Sequence, residues 1–140
     1  DLDESRKQVF ALREKQLRSE FIEKLSAVKS INNTPFISAR VEDANADNLR
    51  QLADLFRQKY SSGVVVVGST YEGNPVLVAG VSEDLVKKGL HAGDMVKTIA
   101  REVDGGGGGK PTLAQAGGKN PLGLDNALKM VETYLKTKFE

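Results

Sequence analysis

Four consecutive valines, Val64, Val65, Val66 and Val67, constrain the fold of this 140-residue chain more than any other feature. Successive side chains of a β-strand point to opposite faces of the sheet, so an unbroken β-branched run puts apolar groups on both faces. Such a strand belongs in the middle of a sheet that is covered on both sides. The sequence therefore predicts a mixed α/β (α+β) domain, in which helices flank a central sheet.

The segments around the valines alternate between strand and helix patterns. Residues 36–42 alternate apolar and polar side chains as a half-buried strand does, and a turn near residue 73 pairs the valines with a hairpin strand at 76–79. A short strand is predicted at 113–116. Helices are predicted from residue 45 or 47 to about 60 and over 82–89, 91–103 and 125–139.

Residues 2–31 contain neither glycine nor proline and predict one long helix that Asn32, Asn33, Thr34 and Pro35 end. Thirty helical residues span about 45 Å, whereas a domain built from the remaining residues is about 35 Å across. We therefore divide the chain into a helical, partly coiled-coil segment (1–34) and a globular domain (35–140). The helix is expected to extend beyond that domain.

Three interpretations of an apolar stripe along this helix stay open. The stripe packs on its own domain, docks against a segment upstream of this chain, or pairs with the stripe of a second copy. The predicted dimerisation residues are Leu17, Phe21, Leu25 and Val28.

Composition excludes several classes of site. The chain has 20 Lys and Arg against 19 Asp and Glu, no cysteine, and His91 as its one histidine. It therefore has no disulfide, no thiolate zinc site and no two-histidine metal site. No apolar run reaches the ~20 residues of a membrane span. The first methionine is Met95, so we expect a piece of a longer protein. His91 stands at a predicted helix start, which favours capping over catalysis, and no catalytic residue is predicted.

Five consecutive glycines are the most unusual local feature, and they are Gly105, Gly106, Gly107, Gly108 and Gly109. A Walker A phosphate loop is excluded, because Asp104 stands where its first glycine belongs and Pro111 where Ser or Thr must follow the lysine. Two interpretations stay open. One is a flexible loop between a helix and a strand; the other is a surface whose exposed N–H groups contact phosphate.

Two segments resemble a known family. Residues 81–94 (VSEDLVKKGLHAGD) and 105–118 (GGGGGKPTLAQAGG) are similar to the C-terminal, DHHA1-type domain of alanyl-tRNA synthetases, and the likeness covers residues 36–140. Family members more often have Asp-Met where this chain has Thr112-Leu113. The resemblance implies a DHHA1-like mixed sheet flanked by helices, shared with DHH-type phosphodiesterases.

The resemblance also implies a function. The implied function is that of a non-catalytic domain that binds the elbow of tRNA(Ala) and links aminoacylation to editing. Other partners would be the upstream domains of the same synthetase and a second copy of the chain. No cofactor is expected in this fragment, since ATP, Mg and Zn would serve other domains, and the location would be the cytoplasm or an organelle.

The expected nucleic-acid contacts are the glycine run and polar residues around it. They are Gly105, Gly106, Gly107, Gly108, Gly109, Lys110, Gln115 and Lys119, then Lys87, Lys88 and Lys97. Lys110 is the first choice, because Pro111 holds its backbone extended. The alternative function is a structural or dimerisation module with weak or no RNA binding.

Overall fold

A computed structural model of the protein describes residues 2–25, 28–31 and 33–139. Within these residues the helices are α1 (Leu2–Leu25), α2 (Ala46–Lys59), α3 (Glu83–Lys87), α4 (Ala92–Ile99) and α5 (Leu124–Phe139). The strands are β1 (Lys29–Ile31), β2 (Thr34–Arg40), β3 (Val64–Tyr71), β4 (Asn74–Val81), β5 (Gly106–Gly109) and β6 (Leu113–Gly117). Short 3₁₀ helices at Ala100–Val103 and Pro121–Gly123 precede β5 and α5.

The six strands form one mixed sheet in the order β1-β2-β3-β4-β6-β5. Strands β2 and β3 run parallel and are joined by α2, while every other neighbouring pair is antiparallel. Helices α1 and α2 lie on one side of the sheet, and α4 and α5 lie on the other. The predicted fold class, a mixed sheet flanked by helices, is confirmed.

The valine run is the centre of this sheet, as predicted. All four side chains are fully buried. Val64 and Val66 pack into the core beneath α4 and α5, and Val65 and Val67 pack into the core beneath α1 and α2. One strand thus joins two apolar layers, which is why its sequence has no polar alternation.

Helix α2 begins where its sequence predicts. The Asn45 side chain accepts a hydrogen bond from the Asn48 N–H at 2.8 Å, and the Asn48 side chain accepts one from the Asn45 N–H at 3.1 Å. This reciprocal capping box satisfies two donors that the first helical turn leaves free. It fixes the start of α2, and with it the direction of the side chains one turn further on.

The prediction of one helix over residues 2–31 is wrong in its extent. Helix α1 ends at Leu25, and Lys29–Ile31 form the edge strand β1, in which Ile31 pairs with Thr34 of β2. Asn33 lies in the turn between them with a φ of 65°, a conformation that asparagine tolerates better than most residues. Asn32, also placed at the helix end by prediction, lies outside the described residues.

The apolar stripe of α1 packs inside its own chain. Leu17, Phe21 and Leu25 are 1%, 0% and 4% exposed, within the core that also holds residues of β2 and α2. Val28 is partly buried against the same core. Of the three alternatives for this stripe, the structure shows packing on its own domain for Leu17, Phe21 and Leu25. Dimerisation through the stripe stays a prediction.

Candidate nucleic-acid interface

The glycine run forms a strand rather than a flexible loop. Gly106–Gly109 are β5, the edge strand of the sheet, paired antiparallel with β6 so that Gly107 lies opposite Ala116 and Gly108 opposite Gln115. No further strand pairs with the outer side of β5 in the described part of the chain. Because backbone groups in an antiparallel strand alternate between the partner strand and the opposite side, part of the β5 backbone faces outward.

Close packing explains some of these glycines. A Cβ atom on Gly105 would lie 1.9 Å from the Gly117 carbonyl oxygen, and one on Gly107 would lie 2.4 Å from the Gln115 carbonyl oxygen. No side chain fits at either position. A Cβ on Gly106, in contrast, would meet nothing within 4 Å. Among the described residues, therefore, no neighbouring atom excludes a side chain at Gly106, and its backbone is accessible.

Two of the predicted lysines lie at opposite ends of the β5–β6 hairpin. Lys110 follows β5, is exposed, and donates its N–H to the Leu113 carbonyl oxygen at 2.9 Å. Lys119 follows β6, is exposed, and donates its N–H to the Val103 carbonyl oxygen at 2.9 Å. Backbone hydrogen bonds thus fix both lysines while their ammonium groups stay in solvent.

Helix α4 brings a third predicted lysine to the glycine strand. A Cβ on Gly93 would lie 3.0 Å from the Gly109 carbonyl oxygen, so α4 packs closely on the end of β5. The Ala92 N–H also donates to the Pro111 carbonyl oxygen at 2.8 Å, which attaches the hairpin tip to the helix start. One turn later, the Cε atom of Lys97 lies 3.4 Å from the position that a Cβ on Gly108 would take.

A basic side chain that sequence reasoning missed also reaches this edge. Arg50 of α2 lines a surface cleft together with Gly108, Gly109, Lys110, Leu113, Ala114 and Gln115. The side chain of Gln115 is exposed on β6, opposite Gly108. No sequence motif indicates Arg50, because 58 residues separate it from Gly108 and only the sheet order brings α2 near β6.

The other two predicted lysines are not brought to the glycine strand. Lys87 lines a separate cleft with Arg57, Glu83 and Asp84, and Lys88 caps the end of α3. Hydrogen bonds from the hydroxyls of Ser62 and Ser82 lower the pKa of Asp84, so this carboxylate stays charged. The cleft around Lys87 therefore carries both signs of charge and attracts an anion less than the glycine edge does.

His91 acts as a helix cap in this structure. Its Nδ1 accepts a hydrogen bond from the Asp94 N–H at 3.1 Å, the contact expected of the residue that precedes α4. Within the described part of the chain, no three His, Cys, Asp or Glu side chains are grouped as metal ligands. None of the described helices is both long and apolar enough to cross a membrane.

Comparison with known proteins identifies the family. The model of the DHHA1 domain matches residues 33–137, which is most of the chain and includes the glycine strand. The chain belongs to the DHHA1 domain family.

Curated relatives of this DHHA1 domain are alanine–tRNA ligases. This chain is 45% identical over 124 residues to the alanine–tRNA ligase of Desulforamulus reducens, and 41% identical over 135 residues to the alanine–tRNA ligase of Oceanobacillus iheyensis. These alignments cover 89% and 96% of the chain but 14% and 15% of the ligases. The chain thus spans about one seventh of the length of these relatives.

Solved structures share the fold of this DHHA1 domain. The C-Ala domain of Aquifex aeolicus alanyl-tRNA synthetase superposes with a TM-score of 0.71 at 28% identity, over 78% of this chain and 97% of that one. A pGpG-specific phosphodiesterase of Vibrio cholerae superposes with a TM-score of 0.51 at 12% identity, over 89% of this chain and 40% of that one. The second likeness concerns the fold alone.

Proposed function

We propose that this DHHA1 domain is a non-catalytic tRNA-binding domain of an alanine–tRNA ligase. It would hold the elbow of tRNA(Ala) while aminoacylation and editing take place in other domains of the same cytoplasmic enzyme. Support comes from the ligase relatives and from the C-Ala domain, which matches over nearly its whole length. Its partners are then tRNA(Ala) and the upstream domains, and the domain itself needs no cofactor.

The observation that carries the proposal is the glycine edge strand with basic side chains beside it. Lys97, Lys110 and Arg50 all reach β5, from α4, from the hairpin tip and from α2 respectively. Glycine leaves the backbone without side-chain bulk, so N–H groups and neighbouring cations can approach the same phosphate chain. Such a surface suits recognition of RNA shape and backbone rather than of base sequence.

The length of the β5–β6 hairpin bears on how many phosphates Lys110 and Lys119 contact. Strand β6 has five residues between the two ends where Lys110 and Lys119 lie, and four steps of a strand rise about 13 Å. Flexible side chains that extend from backbone positions this far apart can contact neighbouring phosphates of one RNA strand. We therefore expect Lys110 and Lys119 to bind separate phosphates and to contribute independently to the salt dependence of binding.

Fluorescence anisotropy with labelled tRNA(Ala) tests the proposal. We expect Lys110→Ala combined with Lys119→Ala to weaken binding and to flatten the slope of log affinity against log salt by about one to two, since each phosphate contact contributes about 0.7–0.9. The melting temperature should stay nearly unchanged, because both side chains are exposed.

The matched control is Lys29→Ala combined with Lys129→Ala. Both lysines are exposed and line a cleft beside β1 and β2, about 24 Å across the sheet from β5. This variant loses the same charge and should keep the wild-type slope. Equal losses in the two double variants would indicate a general charge effect, and unchanged binding in both would place the RNA surface away from the glycine edge. Absence of saturable binding by the wild-type domain would favour a structural module that does not bind RNA.

A further inference from the structure

Helix α2 contributes one residue, Arg50, to the cleft at the glycine edge. Lys110 at the hairpin tip lines the same cleft, together with Gly108, Leu113 and Gln115. The two charged residues of its lining are therefore both basic, and Gly108 adds no side-chain bulk. A phosphodiester strand that lies on the α2 side of β5 and β6 would be close to both cations, Arg50 and Lys110.

Arg50 is not free in this structure, because it forms an ion pair with Asp47 one turn earlier on α2. The side chains of Arg50 and Asp47 are 46% and 74% exposed, so water screens the pair and it is weak. The guanidinium has five N–H donors in a planar fork that fits phosphate as well as carboxylate. A phosphate in the cleft would therefore compete with Asp47 for the same donors.

The position of Arg50 is set by the start of its helix. The reciprocal hydrogen bonds between Asn45 and Asn48 fix the first turn of α2. Leu49, beside Arg50, is completely buried. The backbone of Arg50 is thus held in place, and its exposed side chain can exchange one anionic partner for another without movement of the helix.

We propose that Arg50 is a further phosphate contact of the tRNA interface, and that Asp47 is a competing anion that lowers the affinity until RNA displaces it. This inference rests on the proposed function, since it places the RNA on the α2 side of the glycine strand. It adds a residue that the glycine motif does not contain. It also makes the unbound state of the interface self-paired, so that removal of one carboxylate strengthens binding.

Titration of labelled tRNA(Ala) at several salt concentrations tests both residues. We expect Arg50→Ala to lower the salt slope by about 0.8, which at 0.1 M salt corresponds to about sixfold weaker binding. Arg50→Lys should keep the slope but lose part of the affinity, because an ammonium group is a point charge without the fork. Asp47→Asn should bind about 1.4- to fivefold more tightly, the range that corresponds to an exposed ion pair.

The combined Asp47→Asn and Arg50→Ala variant separates competition from simple repulsion. If Asp47 acts by occupying Arg50, its removal should bring no gain once Arg50 is absent. A gain that persists in the Arg50→Ala background would overturn the competition and leave only long-range repulsion. The control Glu132→Gln removes an acid from a helical ion pair with Lys136 on α5 and should leave the affinity unchanged.

The test also distinguishes this inference from the proposed function. If Lys110→Ala with Lys119→Ala weakens binding while Arg50→Ala has no effect, the RNA avoids the α2 side and the inference fails alone. If neither of these two variants alters binding, the interface lies elsewhere on the domain, and if the wild-type domain does not bind tRNA(Ala) at all, the proposed function itself fails. Circular-dichroism melting curves of every variant exclude loss of folding as the cause of an altered affinity.

Discussion

Two adjacent glycines of β5 should respond in opposite ways to the same added methyl group. A Cβ on Gly107 would lie 2.4 Å from the Gln115 carbonyl oxygen and 2.5 Å from the Ala116 Cβ, whereas real Cβ atoms essentially never come within 3.0 Å of such atoms. Gly107→Ala must therefore push β5 away from β6 by more than half an ångström. Overpacking of this kind costs about 1–3 kcal/mol. For a chain of this length that is a decrease in melting temperature of about 4–12 °C.

Gly106→Ala is the matched comparison, since it adds the same atoms one residue earlier. A Cβ there meets nothing within 4 Å, and Gly106 is not among the residues with positive φ. Replacing glycine in a compatible conformation stabilises a protein by about 0.4–1 kcal/mol, because it restricts the unfolded chain. We expect an equal or slightly higher melting temperature, measured by circular dichroism or differential scanning calorimetry.

The same two variants also report on RNA binding. Gly106→Ala should weaken tRNA(Ala) binding while the fold stays intact, because the methyl group stands over backbone that we propose RNA approaches. Equal melting temperatures for Gly106→Ala and Gly107→Ala would refute the packing explanation of the glycine run. A Gly106→Ala variant with full tRNA affinity would show that RNA does not approach β5 at this residue.

Two further predictions concern the cores. Val66→Asp should abolish cooperative thermal unfolding, because the side chain is fully buried beneath α4 and α5. An unpaired charge there costs several kcal/mol, which is comparable with the whole stability of a domain. A soluble variant with a cooperative melt would contradict the assignment of Val66 to the core. Leu17→Glu with Phe21→Glu should unfold or aggregate the chain, whereas Leu12→Glu with Ile22→Glu, at positions 67% and 54% exposed, should stay folded. A wild-type dimer that this first double variant converts to a folded monomer, in size-exclusion chromatography with light scattering, would favour the dimer interpretation of the α1 stripe.

The core elements were predictable because their signals are local or periodic. The Asn45 cap lies within three residues of its partner, and the valine run reports burial on both faces without reference to any other segment. Leu124, Leu128, Val131 and Leu135 of α5 recur at helical spacing and are all buried.

The failures concern features that tertiary contacts decide. Residues 29–31 form a strand because β2 offers an edge for pairing, although no glycine or proline in the sequence ends the helix before them. The glycine run becomes a strand because β6 lies against it, despite the low strand propensity of glycine. Arg50 joins the cleft through the sheet order alone, which no spacing in the sequence expresses.

The glycine run therefore has two separate physical causes that its sequence cannot distinguish. At Gly105 and Gly107 the approach of β6 and the chain beyond it leaves no room for a side chain, so these residues belong to the fold. At Gly106 the space is open, and we propose that an external partner uses the bare backbone there. An edge strand with bare backbone normally invites pairing with other chains, and here Lys97, Lys110 and Arg50 surround it with positive charge. On the proposed function, a polyanion is the partner that such an edge attracts, and we expect the same charges to oppose pairing with the edge of a second copy.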